Sequence, residues 1–168
     1  GRAVIVPFHK YTPFGDEFYD PIFKFFIKNY REVWGKEISN LYILDSNWNV
    51  DKADDYAVVS VNPALRYYDA YKAVLKSGFI KEDSVMFMDN DMVVYKPQVV
   101  DDAFSFLKEG FDVVSIYDTI GTYETTKLNG KNKLCPYWFV TRRKILLEYL
   151  AVDWSADAMP YTETFGLL

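Results

Sequence analysis

Ser84-Val-Met-Phe-Met-Asp-Asn-Asp-Met-Val-Val-Tyr95 decides how this chain is read. Four apolar residues, Val85 to Met88, run straight into two carboxylates one residue apart, Asp89 and Asp91, and a second apolar run, Met92 to Val94, follows at once. A run this short and apolar reads as a strand buried on both faces, as in a parallel sheet. Carboxylates at the end of such a strand are costly to desolvate unless something cationic meets them. In doubly wound sheets, ligands bind at the carboxyl ends of the strands. If the chain stays extended past Met88, Asp89 and Asp91 point to one side and Asn90 to the other. Two oxygens on one side suit Mg2+ or Mn2+, which takes one or two carboxylates and fills its shell with phosphate and water.

The flanking sequence alternates between strand and helix patterns. Ala3 to Phe8 (AVIVPF) reads as a buried strand, followed by the loop His9 to Asp16, with Asp16 as a helix N-cap. Phe18, Ile22, Phe25, Phe26, Tyr30 and Val33 recur at helical spacing, predicting a helix over 17–34 ended by Gly35. Leu41 to Leu44 is a second strand, closed by Asp45-Ser-Asn-Trp-Asn, and Tyr56 to Val61 a third. Asn62-Pro63 opens a helix that Gly78 closes. Beyond the acidic stretch, Val99, Val100, Ala103, Phe104 and Leu107 mark a helix closed by Gly110, and Asp112 to Ile116 a strand. Residues 117–133 form a long loop, the kind that often carries function. Leu134 to Val140 is a strand, Thr141 caps a helix to about Leu150, and 153–166 is acidic and irregular. The expectation is one α/β domain over 1–168, with a mainly parallel central sheet and helices on both faces.

Composition narrows the function classes. A length of 168 residues is about one domain, and with half the residues apolar and 18% aromatic there is a core with rings to spare. The net charge of -5 argues against a nucleic-acid partner, because phosphate backbones select basic faces. No apolar run approaches the roughly 20 residues of a transmembrane helix, and no signal peptide is visible. The lone Cys135 excludes an internal disulfide framework and a multi-cysteine zinc site, and a cytoplasmic location is the default. A start without Met and an end, Phe165-Gly-Leu-Leu168, without tail-like composition suggest a longer natural chain.

Other residues are candidates for contact. His9 follows the first strand, with Phe8, Tyr11 and Phe14 near it as rings able to stack on a base. Arg142-Arg-Lys144 places three cations in a predicted first helical turn, where the macrodipole disfavours them, which marks a candidate anion site. Trp138, then Trp154, are large rings available for ligand contact. The late acids Asp153, Asp157 and Glu163 are carboxylates of the kind that serve as a general base when held within hydrogen-bond reach of a hydroxyl. Each also has an ordinary reading: surface histidine, packed rings, solvated helix start, solvated loop acids.

The pattern resembles the GT-A-fold (Rossmann-like) glycosyltransferases of the Asp-x-Asp type over residues 3–150. AVIVPF resembles their first strand, LYILDS their second, NPALRYYDAYKAVL the helix before the motif, VMFMDNDMVVYKP the motif strand, and KLCPYWFVTRRKIL the strand and helix after the acceptor loop. The resemblance implies a hexosyltransferase-type enzyme, with a half over about 1–95 that binds a UDP- or GDP-sugar and a half over about 96–168 that binds the acceptor, a sugar, lipid-linked or protein hydroxyl. It implies Mn2+ or Mg2+ on Asp89 and Asp91. It places Pro7, Phe8, His9 and Tyr11 near the nucleoside, Asp45 on the base or ribose, and Arg66 and Asn90 toward the donor. For an inverting transfer it puts the general base, Glu163 first and Asp157 second, after the acceptor strand, and it puts Trp138, then Trp154, against the acceptor and Arg142 toward donor phosphate or an acidic acceptor. A C-terminal histidine ligand found in some members has no counterpart, since His9 is the only histidine. The Gly-rich opening of the sugar-phosphate nucleotidyltransferases, which share the architecture, is also missing. VMFMDNDMVV further resembles the opening motif of haloacid-dehalogenase-type phosphatases, where the first Asp is a nucleophile. That motif normally opens its domain, and the later paired acids it needs are absent. A non-catalytic nucleotide-sugar binder is the third reading.

Overall fold

The computed structural model describes residues 1–10, 14–65, 67–115, 127–128, 131–132 and 138–150. In chain order the elements are β1 (Arg2–Phe8), α1 (Asp16–Asn29), a widened π turn (Tyr30–Trp34), α2 (Gly35–Ile38), β2 (Asn40–Asp45), β3 (Ala57–Ser60), α3 (Tyr67–Lys76), β4 (Ser84–Met88), α4 (Pro97–Lys108), β5 (Val113–Ser115), β6 (Lys127–Leu128), β7 (Lys131–Asn132), β8 (Trp138–Arg142) and α5 (Arg143–Leu150). Six strands form one sheet in the order β3-β2-β1-β4-β8-β5, while β6 and β7 pair as a separate antiparallel ribbon. β1 to β4 are mutually parallel, and β8 runs against both β4 and β5. This is the expected α/β domain with a mainly parallel sheet.

The central strands read as continuous apolar runs because both their faces are covered. Val4, Val6, Phe8, Met86 and Met88 face a core supplied by Phe26, Ile27 and Tyr30 from α1 and the π turn, and by Val100, Phe104 and Leu107 from α4. Ala3, Ile5, Val85 and Phe87 face a second core built by Tyr71, Val74 and Leu75 of α3 and Leu146 of α5. Phe87 is in register with Ile5 on one side and Phe139 on the other. Its ring stacks on Phe139 at 4.8 Å and meets Tyr71 edge-on at 4.5 Å. Each fully buried side chain of this size stabilises the fold by roughly 1.5–3 kcal/mol, so these two layers outweigh any exposed ion pair.

The helix expected over 17–34 is interrupted. Gly15 is the N-cap and Asp16 the first helical residue, and the regular ladder stops at Asn29. The π turn carries the chain to Gly35, whose φ of 52° and ψ of 179° are open to glycine alone at low cost. Arg31 from this turn makes two hydrogen bonds to the Asp55 carboxylate, at 2.6 and 3.0 Å, and the Tyr30 hydroxyl donates to the Asp55 carbonyl at 2.8 Å. The Arg31 hydrogen bond holds the Asp55 carboxyl below its usual range, and burial, with the Asp55 charge, pushes the Tyr30 phenol up to about 12.

Other boundaries also shift. Asn62 does accept from the Ala64 amide at 2.9 Å, but this builds a turn ahead of α3. The last strand is described from Trp138 and extends through Thr141 and Arg142, so Thr141 is a buried strand residue and not a helix cap. Its hydroxyl donates to the Asp112 carbonyl at 2.9 Å. Among the described residues no helix is long and apolar enough to cross a membrane.

Candidate active site at the carboxyl edge of the sheet

β1, β2 and β4 end at one edge of the sheet, with Phe8 opposite Asp45 and Asp89 immediately beyond β4. The chain does not stay extended there. The Met92 amide donates to the Asp89 carbonyl at 3.2 Å, closing a turn with Asn90 and Asp91 at its centre. The strand-alternation argument for two carboxylates on one side therefore does not apply. The turn sets their directions instead. Asp89 is half-buried and Asp91 exposed. Asn90 ties the turn to the neighbouring strand, its side-chain amide donating to the Pro7 carbonyl at 2.9 Å. Val94, expected to continue the apolar run, is buried beyond the turn, and both its backbone polar groups bond the Asn29 side chain.

The loops after β1 and β2 are locked together beside this turn. Asn47 accepts from the Lys10 amide at 2.6 Å and donates to the Lys10 carbonyl at 3.0 Å. The Lys10 ammonium pairs with Asp16 and lies 5.8 Å from the centre of the Trp48 ring. The Ser46 amide donates to the Phe8 carbonyl at 3.0 Å. Asp45 organises the second loop: its carboxylate accepts the amides of Trp48 at 2.8 Å, Asn49 at 3.2 Å and Val50 at 2.8 Å. Three converging amides make an anion-binding concavity, and Asp45 itself fills it. Asp45, expected to meet a base or ribose, builds its own loop in this structure.

Three further expectations change. The Phe8 ring is 0% exposed and packs edge-on against Phe23, Phe26 and Trp48, so it offers no face to a base. Phe14, by contrast, is exposed and stacks on Phe18 at 4.7 Å. Trp138 sits opposite Met88 at the right edge, but it is only 6% exposed and belongs to the core. Arg142 pairs with Ser84, at the start of β4, because β8 is antiparallel. Its guanidinium is engaged by the Asp112 carboxylate at 2.9 Å and the Leu107 carbonyl at 2.7 Å, so it is a clasp at the far edge and not an anion site beside Asp89. The structure brings together Pro7, the half-buried His9, Asp45, Asp89, Asn90 and Asp91. Tyr11, Arg66, Asp157 and Glu163, with Trp154, lie outside the described residues.

Sequence reasoning missed Asn29, Asn47 and Lys10. Asn47 lies in a turn-forming cluster that was legible, but no local pattern signals that its partner is 37 residues away. Among the described residues no three His, Cys, Asp or Glu side chains cluster to hold a metal by themselves. An acidic turn of one half-buried and one exposed carboxylate still fits a divalent cation, with water and phosphate oxygens as the remaining ligands.

No protein-family model and no curated protein sequence matches the chain. Solved structures do. The structure of CMP:2-keto-3-deoxy-manno-octonic acid synthetase complexed with CTP superposes with a TM-score of 0.66 at 12% identity, covering 95% of this chain and 82% of that one. The mannosyltransferase PcManGT from Pyrobaculum calidifontis, in complex with GDP-Man and Mn2+, gives 0.58 at 15% identity, over 88% of this chain and 46% of that one. The galactosyltransferase LgtC, in complex with donor and acceptor sugar analogs, gives 0.52 at 13% identity, over 87% and 59%. The chain thus spans about half the length of these two glycosyltransferases. At such identities the likeness is one of fold: this single α/β domain has the Rossmann-like architecture shared by GT-A transferases and sugar nucleotidyltransferases.

Proposed function

We propose that the protein is a nucleotide-sugar-dependent glycosyltransferase that moves a hexose to a hydroxyl acceptor. The observation that carries this reading is the Asp89-Asn90-Asp91 turn, held against β1 where three parallel strands end. Asp89 and Asp91 hold Mn2+ or Mg2+, which when bound neutralises charge on the departing diphosphate. His9 and the backbone from Pro7 to Lys10 face the nucleoside, with the exposed Phe14 as the ring available to a base. Asp45 contributes by shaping the 46–50 loop, and Arg66 faces the donor. If the transfer inverts, Glu163, with Asp157 second, takes the proton from the acceptor hydroxyl as the sugar–phosphate bond breaks.

Isothermal titration of UDP and GDP, with and without Mn2+, tests the reading. One of them is expected to bind at least tenfold more tightly with Mn2+, and Asp89→Asn or Asp91→Asn to abolish that gain. Failure of both nucleotides to bind in any metal would overturn it. The match to the CTP complex over most of both chains favours a second reading, nucleotidyl transfer to a sugar acid. Pyrophosphate released from a nucleoside triphosphate and a sugar acid would select that alternative. Turnover of p-nitrophenyl phosphate would select the phosphatase.

A further inference from the structure

We infer that Asn29, on the first helix and 65 residues from its partner in sequence, is a positioning residue for the acidic turn. This inference rests on the proposed metal-assisted reading of Asp89 and Asp91. The connection from β4 to α4, residues 89–96, belongs to no strand, so its backbone must find partners elsewhere. Asn90 fixes its start on Pro7. Asn29 fixes its middle: the side-chain amide donates to the Val94 carbonyl at 2.9 Å, and the side-chain oxygen accepts from the Val94 amide at 3.0 Å. A carboxamide presents a donor and an acceptor side by side in this way, and an ionised carboxylate does not. The Val94 side chain, 5% exposed, is meanwhile seated in the core that α1 and α4 share.

Asn29 is the last residue of α1, and the ladder widens at Tyr30. Single widened turns of this kind frequently accompany functional sites. From Val94 back to Asp91 is three residues, at most about 10 Å of chain. Loosening Val94 therefore frees the segment that sets where the Asp91 carboxylate points. Two carboxylates that share a cation repel each other without it, so affinity depends on how firmly the turn holds them. Supporting contacts one step away from metal ligands commonly change affinity by about 10–100-fold, and a contact acting through backbone belongs at the lower end.

Asn29→Asp keeps the shape but removes the donor to Val94. Asn29→Ser shortens the arm and serves as the second variant if the first folds poorly. Mn2+ binding is read by titration of the protein saturated with UDP or GDP, whichever binds, alongside metal-free nucleotide binding and far-ultraviolet circular dichroism. The expected result is Mn2+ affinity weakened about tenfold, with metal-free nucleotide affinity and the dichroism spectrum unchanged. Unchanged Mn2+ affinity in both folded variants would overturn the inference, as would an equal loss of metal-free nucleotide affinity, which marks a merely structural role. Asp89→Asn and Asp91→Asn separate the two levels. If they abolish Mn2+ binding while the Asn29 variants leave it intact, only this inference fails. If they too leave Mn2+ affinity unchanged, or the unaltered protein binds no Mn2+, the underlying reading fails with it.

Discussion

At the scale of single residues, amide and carboxylate side chains at the carboxyl edge serve the backbone first. Asn29, Asn47 and Asn90 each bond main-chain groups, and Asp45 gathers three amides at its carboxylate. An acid after the second strand was readable from sequence. Its occupation by its own loop was not, because a ligand contact and a self-filled turn use the same residue at the same place. Replacing Asp45 by Asn puts an NH2 donor where one carboxylate oxygen stood, leaving at least one part-buried N–H, that of Val50 or Trp48, without its acceptor. The expected cost is about 1–3 kcal/mol, read as a lower midpoint in urea unfolding with unchanged slope. Full stability in Asp45→Asn, with lost nucleotide binding, would return Asp45 to ligand contact.

At the scale of elements, the tie between the π turn and the β2–β3 loop should shape the response to pH. Asp55 has its pKa lowered by the Arg31 hydrogen bond, so the unfolded chain binds its proton more readily than the folded one. This contribution is present above the ordinary aspartate value of about 3.9 and is lost as pH falls through the lower folded value. Tyr30 runs the other way. Its pKa, raised to about 12 by burial, gives stability that is whole below the unfolded tyrosine value of about 10 and is lost as pH rises from there toward the folded value. Urea unfolding from pH 2 to 11 should therefore show both slopes. Asp55→Asn should flatten the acid one, and an unchanged acid slope in that variant would show the tie to be inert. The helix carrying this turn was legible in its apolar spacing. Its break was not, because residues through Val33 keep helical periodicity while the backbone ladder widens beneath them.

At the scale of the whole molecule, strand order ranks local stability. β1 and β4 are flanked on both sides and covered on both faces, whereas among the described residues β3 and β5 each have a single neighbour and no fully buried side chain. Amides of β1 and β4 should exchange with solvent only through global unfolding, and those of β3 and β5 through smaller openings, orders of magnitude faster. Equal protection of β3 and β4 would contradict this. The strands β1, β2 and β4 and their buried faces were legible, since a doubly covered strand leaves a continuous apolar run. The direction of β8 was not, because an antiparallel strand covered on both faces leaves the same run. That direction is what moved Arg142 away from the acidic turn.

The reversed strand has a further consequence, for how such a protein can diversify. β5 ends, and β8 begins, at the edge that holds Asp89 and Asp91, because Ser115 lies opposite Phe139 and Met88 opposite Trp138. Everything inserted between positions 115 and 138 is therefore tethered at both ends beside the acidic turn. Doubling the length of such an insertion adds only about 0.6 kcal/mol of closure entropy. Chain can be added or replaced there while the six-stranded sheet and the acidic turn stay as they are.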